Sequence, residues 1–302
     1  MNKLELLRER VGKRKPTRLV VAAAEEENVL VAVDKAYKDG LVIPILVGDT
    51  GQIKQIVRKN KLSLGQVEMH ESRSFQASAE TSVKLIHEGK GDVLIKGLLD
   101  TSIILKAVLN DEWGLKTGRI LSHVMLYEVP SYHKLLMLTD GGMVTYPDLD
   151  IKKELIINAV EAARGFNNNL IKVACLAAKE KVNPKMQATV DGFELKKLGE
   201  AGYFGKQVLV EGPISLDLAI SNEAARIKGY KSPVAGDADL LVVPNIEMGN
   251  GIGKAITYFG NGIGAGVVMG AKVPIILVSR ADTFEAKYYS ILFGSMIAVA
   301  DK

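Results

Sequence analysis

Short β-branched runs alternate with longer stretches of helical period along nearly the whole chain, the pattern of a parallel sheet with helices on its faces. The segments RLVVAAA from Arg18, LVIPILVG from Leu41, DVLIKG from Asp92, ILSHVMLYEV from Ile120 and KLLMLTD from Lys134 predict strands. IKVACLAA from Ile171, KQVLVEG from Lys206, ADLLVVPN from Ala238 and VPIILVS from Val273 predict four more. Their near-continuous apolarity fits burial on both faces. DLDIKKELIINAVEAARGF from Asp148, MQATVDGFELKKLGEAG from Met186 and DTFEAKYYSILFGSMIAVA from Asp282 carry polar caps and a 3.6-residue period, and predict helices. So many strands exceed one small sheet. The expected architecture is α/β, with two α/β/α lobes, a cleft between them, and a crossing near TDGGMVTYPDLD, where glycines, a proline and aspartates interrupt the pattern.

Composition narrows the class. At 302 residues, 47% hydrophobic and 25% charged, the chain reads as an ordinary globular protein. Its net charge of +4 is spread among 35 acidic residues, which argues against a nucleic-acid partner. Cys175 is the single cysteine and cannot form an internal disulfide; the start MNKLELLRERVGKRKPTR has no apolar core of signal-peptide length. The richest apolar stretch, 263–278, is dense in glycine and broken by Lys272 and Pro274, so no membrane span is expected. The expected location is the cytoplasm.

Candidate chemistry gathers at two strand-to-helix junctions. In LLVVPNIEMGNGIGKAI, Gly249, Gly251 and Gly253 permit close approach of a ligand to the backbone, and Lys254 adds a cation. The spacing is one residue short of GxxxxGK, Ala255 stands where Ser or Thr should follow, and neither this stretch nor GNGIGAG at 260–266 gives GxGxxG. A phosphate-binding loop and a tight turn both remain open on this pattern. In IILVSRADTFEAK, Ser279 and Arg280 follow a buried strand, and Asp282 is placed to cap the next helix. An arginine there suits bidentate phosphate binding. The four histidines, His70, His87, His123 and His133, lack metal-site spacing, so no metal is expected. Cys175 lies among apolar neighbours, as a buried small residue does, and no GxSxG elbow occurs.

Beyond these junctions, an ordered series of segments resembles the phosphate acetyltransferase and butyryltransferase family, more closely its butyryl branch. They are IKGLLDTS at 95–102, KAVLN at 106–110, GLKTGRILSHV at 114–124, TYPDL at 145–149, NPKM at 183–186, GPISLDLAI at 212–220, PVAGDADLLVVPNIEMGN at 233–250 and SRADT at 279–283. The resemblance implies a fold like that of isocitrate and isopropylmalate dehydrogenases, with residues 1–140 and 273–302 in the first lobe, 141–272 in the second, and a homodimer. It implies reversible transfer of an acyl group between CoA and inorganic phosphate, with acyl-CoA, phosphate and acyl phosphate as partners. CoA would be a substrate, and no cofactor is implied.

By the same resemblance Arg280 holds phosphate and Ser279 donates a hydrogen bond to developing charge in a direct-transfer ternary complex. Asn245, Glu247, Gly249, Asn250 and Lys254 line one wall, while Lys96, Thr101, Lys106 and Arg119 supply polar groups and cations across the cleft. The sequence also departs from the pattern. Ala286 replaces the aspartate that the acetyl branch carries seven residues after the serine, with Glu285 beside it; either Asp282 is the base for the thiol or the thiol ionises without a dedicated residue. Lys106 stands in place of arginine, losing the bidentate fork, and Gly253 in place of tyrosine.

Three other readings compete with the butyryl-type phosphate acyltransferase. One is an acetyl-preferring transferase, another a non-catalytic CoA or acyl phosphate sensor of the same fold; the third, a metal-dependent dehydrogenase, needs a clustered DxxxD that the sequence lacks.

Overall fold

The structure of the chain, a computed structural model, describes residues 3–167, 169–278 and 282–298. Its strands in chain order are β1 (Thr17–Ala22), β2 (Val42–Gly48), β3 (Glu68–Glu71), β4 (Val93–Lys96), β5 (Ser122–Glu128), β6 (Leu136–Thr139), β7 (Ile171–Leu176), β8 (Val208–Ile214), β9 (Leu240–Val242), β10 (Ile263–Met269) and β11 (Ile275–Ile276). The chain divides into two compact units, one built on Leu4–Arg119 with the segment from Ala265 onward, the other on Ile120–Gly264. All nine expected strands form, and the mixed α/β class is as the pattern implies.

In the first unit the strands lie in the order β3-β2-β1-β4-β11-β10. They pair in parallel except β10 with β11, where Val268 faces Ile275. β4 is buried along its length and β1 nearly so, as their apolar sequences require. Helix Phe284–Ala298 packs on Glu27–Lys38 and Glu5–Val11, joining the C-terminal segment to the N-terminal one. Asp49 and Ser74 cap the helices Thr50–Lys59 and Phe75–His87 by accepting the Gln52 and Ala77 N–H groups.

In the second unit the order is β5-β6-β9-β7-β8, with β5 and β6 antiparallel and the others parallel. Leu138, Leu176, Ile214, Leu241 and Val243 anchor one core cluster, against which Met248, Ile252 and Ile256 of helix Ile246–Tyr258 pack. The boundaries differ from the expected 140/141 and 272/273. Pairing of Met137 with Leu240 draws β5 and β6 into the second unit, and pairing of β10 with β11 draws residues 265–272 into the first. Among the described residues no helix is long and apolar enough to cross a membrane.

Candidate active site

In open α/β sheets ligands collect at the carboxyl ends of parallel strands, where helix N-termini present unpaired N–H groups. Each unit has such an edge.

In the second unit β6 and β9 end together, Thr139 beside Val242. Asn245 follows β9 and caps helix Ile246–Tyr258, its side chain accepting the Met248 N–H at 3.0 Å. The stretch left open as a phosphate-binding loop or a tight turn is helical from Ile246, which corrects the first of these readings. Gly249 and Gly253, four residues apart on one face, allow close packing. A Cβ on Gly249 would lie 2.6 Å from the Asp140 carbonyl oxygen, and one on Gly253 would lie 2.5 Å from the Tyr127 hydroxyl. Gly251 has nothing near it. Asn250 donates to the Gly141 carbonyl at 3.3 Å, Ile246 N–H to the Thr145 carbonyl at 2.9 Å, and the Tyr146 hydroxyl bonds to Glu247. That bond to a carboxylate raises the Tyr146 phenol above its ordinary range.

The turn beneath this helix is organised by Asp140, which is fully buried. Its carboxylate accepts the N–H groups of His123 at 2.7 Å and of Gly142 and Met143 at 2.8 Å each. Asn245, Glu247, Gly249 and Asn250 thus come together on one edge. Lys254 lies one turn beyond Asn250 on the same helix, about 12 Å along the axis from Ile246. There it is exposed, with Nζ 6.0 Å from the Tyr258 ring centre.

In the first unit β4 and β11 run side by side in parallel and end at a common edge. Lys96, the last residue of β4, is buried, and its Nζ donates to the carbonyls of Gly97 and Leu99 at 3.2 Å each. The chain turns there through Gly97, where any Cβ would fall 2.1 Å from the Ala23 carbonyl oxygen. Thr101 opens helix Thr101–Val108 and is exposed; Lys106 is in its last turn, also exposed. Five residues separate Thr101 and Lys106, about 7.5 Å of helix, so Lys106 stands away from the end that Lys96 supports. Arg119 is half-buried at the far end of this segment, its N–H directed to the Thr117 hydroxyl at 3.4 Å. Asp282 is half-buried, and its carbonyl accepts the ammonium of the fully buried Lys287 at 2.5 Å. Ser279 and Arg280 lie outside the described residues.

Cys175 is enclosed in the second unit, and burial pushes its thiol up to about 12. It lines a small cavity with Lys152, Asp191, Val242 and Pro244, in which Lys152 Nζ and Asp191 form a buried ion pair at 2.5 Å. Among the described residues no group of three or more His, Cys, Asp or Glu side chains is placed to hold a metal. The pattern missed Asp140, Tyr146 and Lys287. Asp140 and Tyr146 do lie in and beside the glycine-rich interruption TDGGMVTYPDLD, which was the available signal.

The chain is similar to known proteins over almost its full length. The phosphate acetyl/butaryl transferase family matches residues 4–84 and 76–294. A phosphate butyryltransferase from Clostridium beijerinckii is 41% identical over 291 residues, 96% of each chain. A phosphate acetyltransferase from Rhizobium meliloti is 38% identical, over 94% of this chain and 89% of its own. The crystal structure of a branched-chain phosphotransacylase from Enterococcus faecalis V583 superposes with a TM-score of 0.83 at 33% identity, covering 93% of this chain and 99% of that one. A phosphotransacetylase from Streptococcus pyogenes shares the fold, with a TM-score of 0.82 at 18% identity. With matches of this extent, and two helix-bearing strand edges of the kind α/β enzymes use for anions, the chain belongs to the phosphate acetyl/butaryl transferase family.

Proposed function

We propose that this protein is a phosphate acyltransferase that moves a short acyl group, butyryl or branched-chain, reversibly between CoA and inorganic phosphate. The observation that carries this reading is the full-length similarity to a phosphate butyryltransferase at 41% identity. The family reaction supplies acyl-CoA and phosphate as substrates.

The transfer is direct. Starting from acyl phosphate, the CoA sulfur loses its proton and forms a bond to the acyl carbonyl carbon, and the carbon–oxygen bond to phosphate breaks, giving acyl-CoA and phosphate. Two anionic substrates must meet, so cations and N–H groups are needed against their repulsion and against the oxyanion that forms. Arg280 holds phosphate and Ser279 donates to the developing charge; Lys96, Lys106 and Arg119 add positive charge, and Thr101 contacts substrate. Asn245, Glu247, Gly249 and Asn250 shape the surface that CoA meets, and Lys254 attracts its phosphates. Asp282 is one candidate for the thiol's base. Cys175, held neutral by burial, takes no covalent part. The active form is a homodimer in the cytoplasm.

The test is release of free CoA thiol from acetyl-, butyryl-, isobutyryl- and isovaleryl-CoA, with and without phosphate. Phosphate-dependent release favouring four-carbon or branched chains is expected. Faster release from acetyl-CoA would make it an acetyltransferase, and CoA binding without release would make it a sensor.

A further inference from the structure

Lys287 is the largest fully buried side chain among the described residues, 1% exposed, and it belongs to the unit built on Leu4–Arg119 and the segment from Ala265 onward. Its place is unfavourable in three ways. The ammonium is cut off from water. Among the described residues no carboxylate lies within ion-pair distance of it, whereas the buried Lys152 has Asp191 at 2.5 Å. It is also the fourth residue of helix Phe284–Ala298, at the end whose dipole repels a cation. A side chain that breaks several rules of local stability together is the mark of a functional position.

The helix face that carries Lys287 lies on the sheet. Gly294, two turns further along that face, packs so closely that a Cβ would fall 3.1 Å from Ile276 Cδ1 of β11 and 3.2 Å from Val93 Cγ1 of β4. Val93 opens β4, so the helix runs back from the carboxyl edge, and its first turn, with Lys287, stands at that edge. Lys96, the last residue of β4, is a second buried lysine there.

Both lysines hold turns by their main chain. Lys96 donates to the Gly97 and Leu99 carbonyls that follow β4. Lys287 donates through Nζ to the Asp282 carbonyl at 2.5 Å and through its backbone N–H to the Thr283 carbonyl at 3.2 Å, so it grips the entry to its own helix twice. The Thr283 hydroxyl accepts the Ala286 N–H at 3.2 Å and closes the same turn. Ser279 and Arg280 belong to the stretch of sequence between Val278, after β11, and Asp282.

We propose that Lys287 is a positioning residue of acyl transfer: by holding the Asp282 carbonyl it fixes the anchor from which Arg280 and Ser279 serve phosphate. The inference rests on the acyltransferase reading above, which gives those two residues their roles. Lys287 touches no substrate and acts through the main chain. Such an anchor matters because a misplacement of about 1 Å lowers a rate by about 100-fold.

The test is Lys287→Met, which keeps an unbranched chain and removes the ammonium. Asp282 is half-buried, so water can take the freed carbonyl. The melting temperature should equal or exceed that of wild type, because apolar replacement of buried charge is often neutral or stabilising. In release of CoA from butyryl-CoA with phosphate varied, kcat should fall about 100-fold and the KM for phosphate should rise, with the KM for butyryl-CoA unchanged. Inorganic phosphate alone should raise the melting temperature of wild type more than that of the variant. A variant with wild-type kcat and phosphate KM overturns the proposal, as does equal protection of the two proteins by phosphate. So does a variant that fails to fold or melts well below wild type, since the ammonium would then be holding the fold. Absence of transfer by wild type, with the difference in phosphate protection kept, would instead overturn the acyltransferase reading and leave Lys287 positioning an anion site.

Discussion

Gly249 rests directly on Asp140: a Cβ there would meet the Asp140 carbonyl oxygen at 2.6 Å, Gly141 Cα at 2.8 Å and Val243 Cγ2 at 2.9 Å. Two of the three are backbone or Cα atoms, which cannot swing aside. Gly249→Ala should therefore push helix Ile246–Tyr258 off the turn and destabilise the protein by about 1–3 kcal/mol. Gly251→Ala, with open space around it, should instead stabilise by about 0.5–1 kcal/mol, because alanine is the better helix former. Urea unfolding of the two variants checks both signs.

Arg280→Ala should lower kcat about 100- to 1000-fold by removing charge stabilisation at the reacting centre, with an unchanged melting temperature. Near-normal turnover would take Arg280 out of the mechanism. Single-turnover assays with butyryl-CoA and phosphate decide it.

Cys175→Ala should retain most of the transfer activity, and the wild-type thiol should resist iodoacetamide in the folded state. A thiol pushed up to about 12 holds almost no thiolate at neutral pH. A folded, CoA-binding Cys175→Ala enzyme without turnover would establish a covalent acyl-cysteine route.

The Lys152–Asp191 ion pair is buried on both sides, with Gln187 donating to the second Asp191 oxygen at 2.7 Å. Asp191→Ala leaves an uncompensated buried ammonium and should cost about 3–5 kcal/mol. Lys152→Met combined with Asp191→Leu should recover much of that loss. A double variant no more stable than Asp191→Ala would show that the pair's shape, rather than its charge, is what the site requires.

Asp237 predicts the acid behaviour. Burial by itself would raise its carboxyl, but hydrogen bonds from Lys172, Lys134 and His133 outweigh it and hold the group well below the ordinary carboxylate range. A folded pKa below the unfolded one contributes stability above the unfolded value of about 3.9 and loses it as pH falls further toward the folded pKa. Between pH 5 and pH 2, Asp237→Asn should lose less stability than wild type, measured by thermal unfolding. An identical pH slope in both would assign the acid sensitivity elsewhere.

How far the sequence reached is clearest at particular strands. The buried runs such as VLIK at 93–96 were legible because burial on both faces forces continuous apolarity. β3, with the sequence EMHE, was not, because an edge strand with exposed ends is written in polar residues. β10 was hidden by its glycines. Gly264 has no side chain because Tyr127 Cε1 would stand 2.8 Å from its Cβ, and nothing local in GNGIGAGVVM records Tyr127.

The sequence by itself determined the α/β class, the strands buried on both faces, the family and, through it, the reaction, since each is carried by residue type and order along the chain. Tertiary structure alone decided that 249–253 is helix rather than loop, that Lys254 is carried one turn beyond Asn250 on that helix, and that His123 lies opposite Asp140. The reason is physical: glycine frees the backbone without saying for what, and only the partner across the gap, Asp140 for Gly249 and Tyr127 for Gly253, fixes whether that freedom becomes a turn or a close contact.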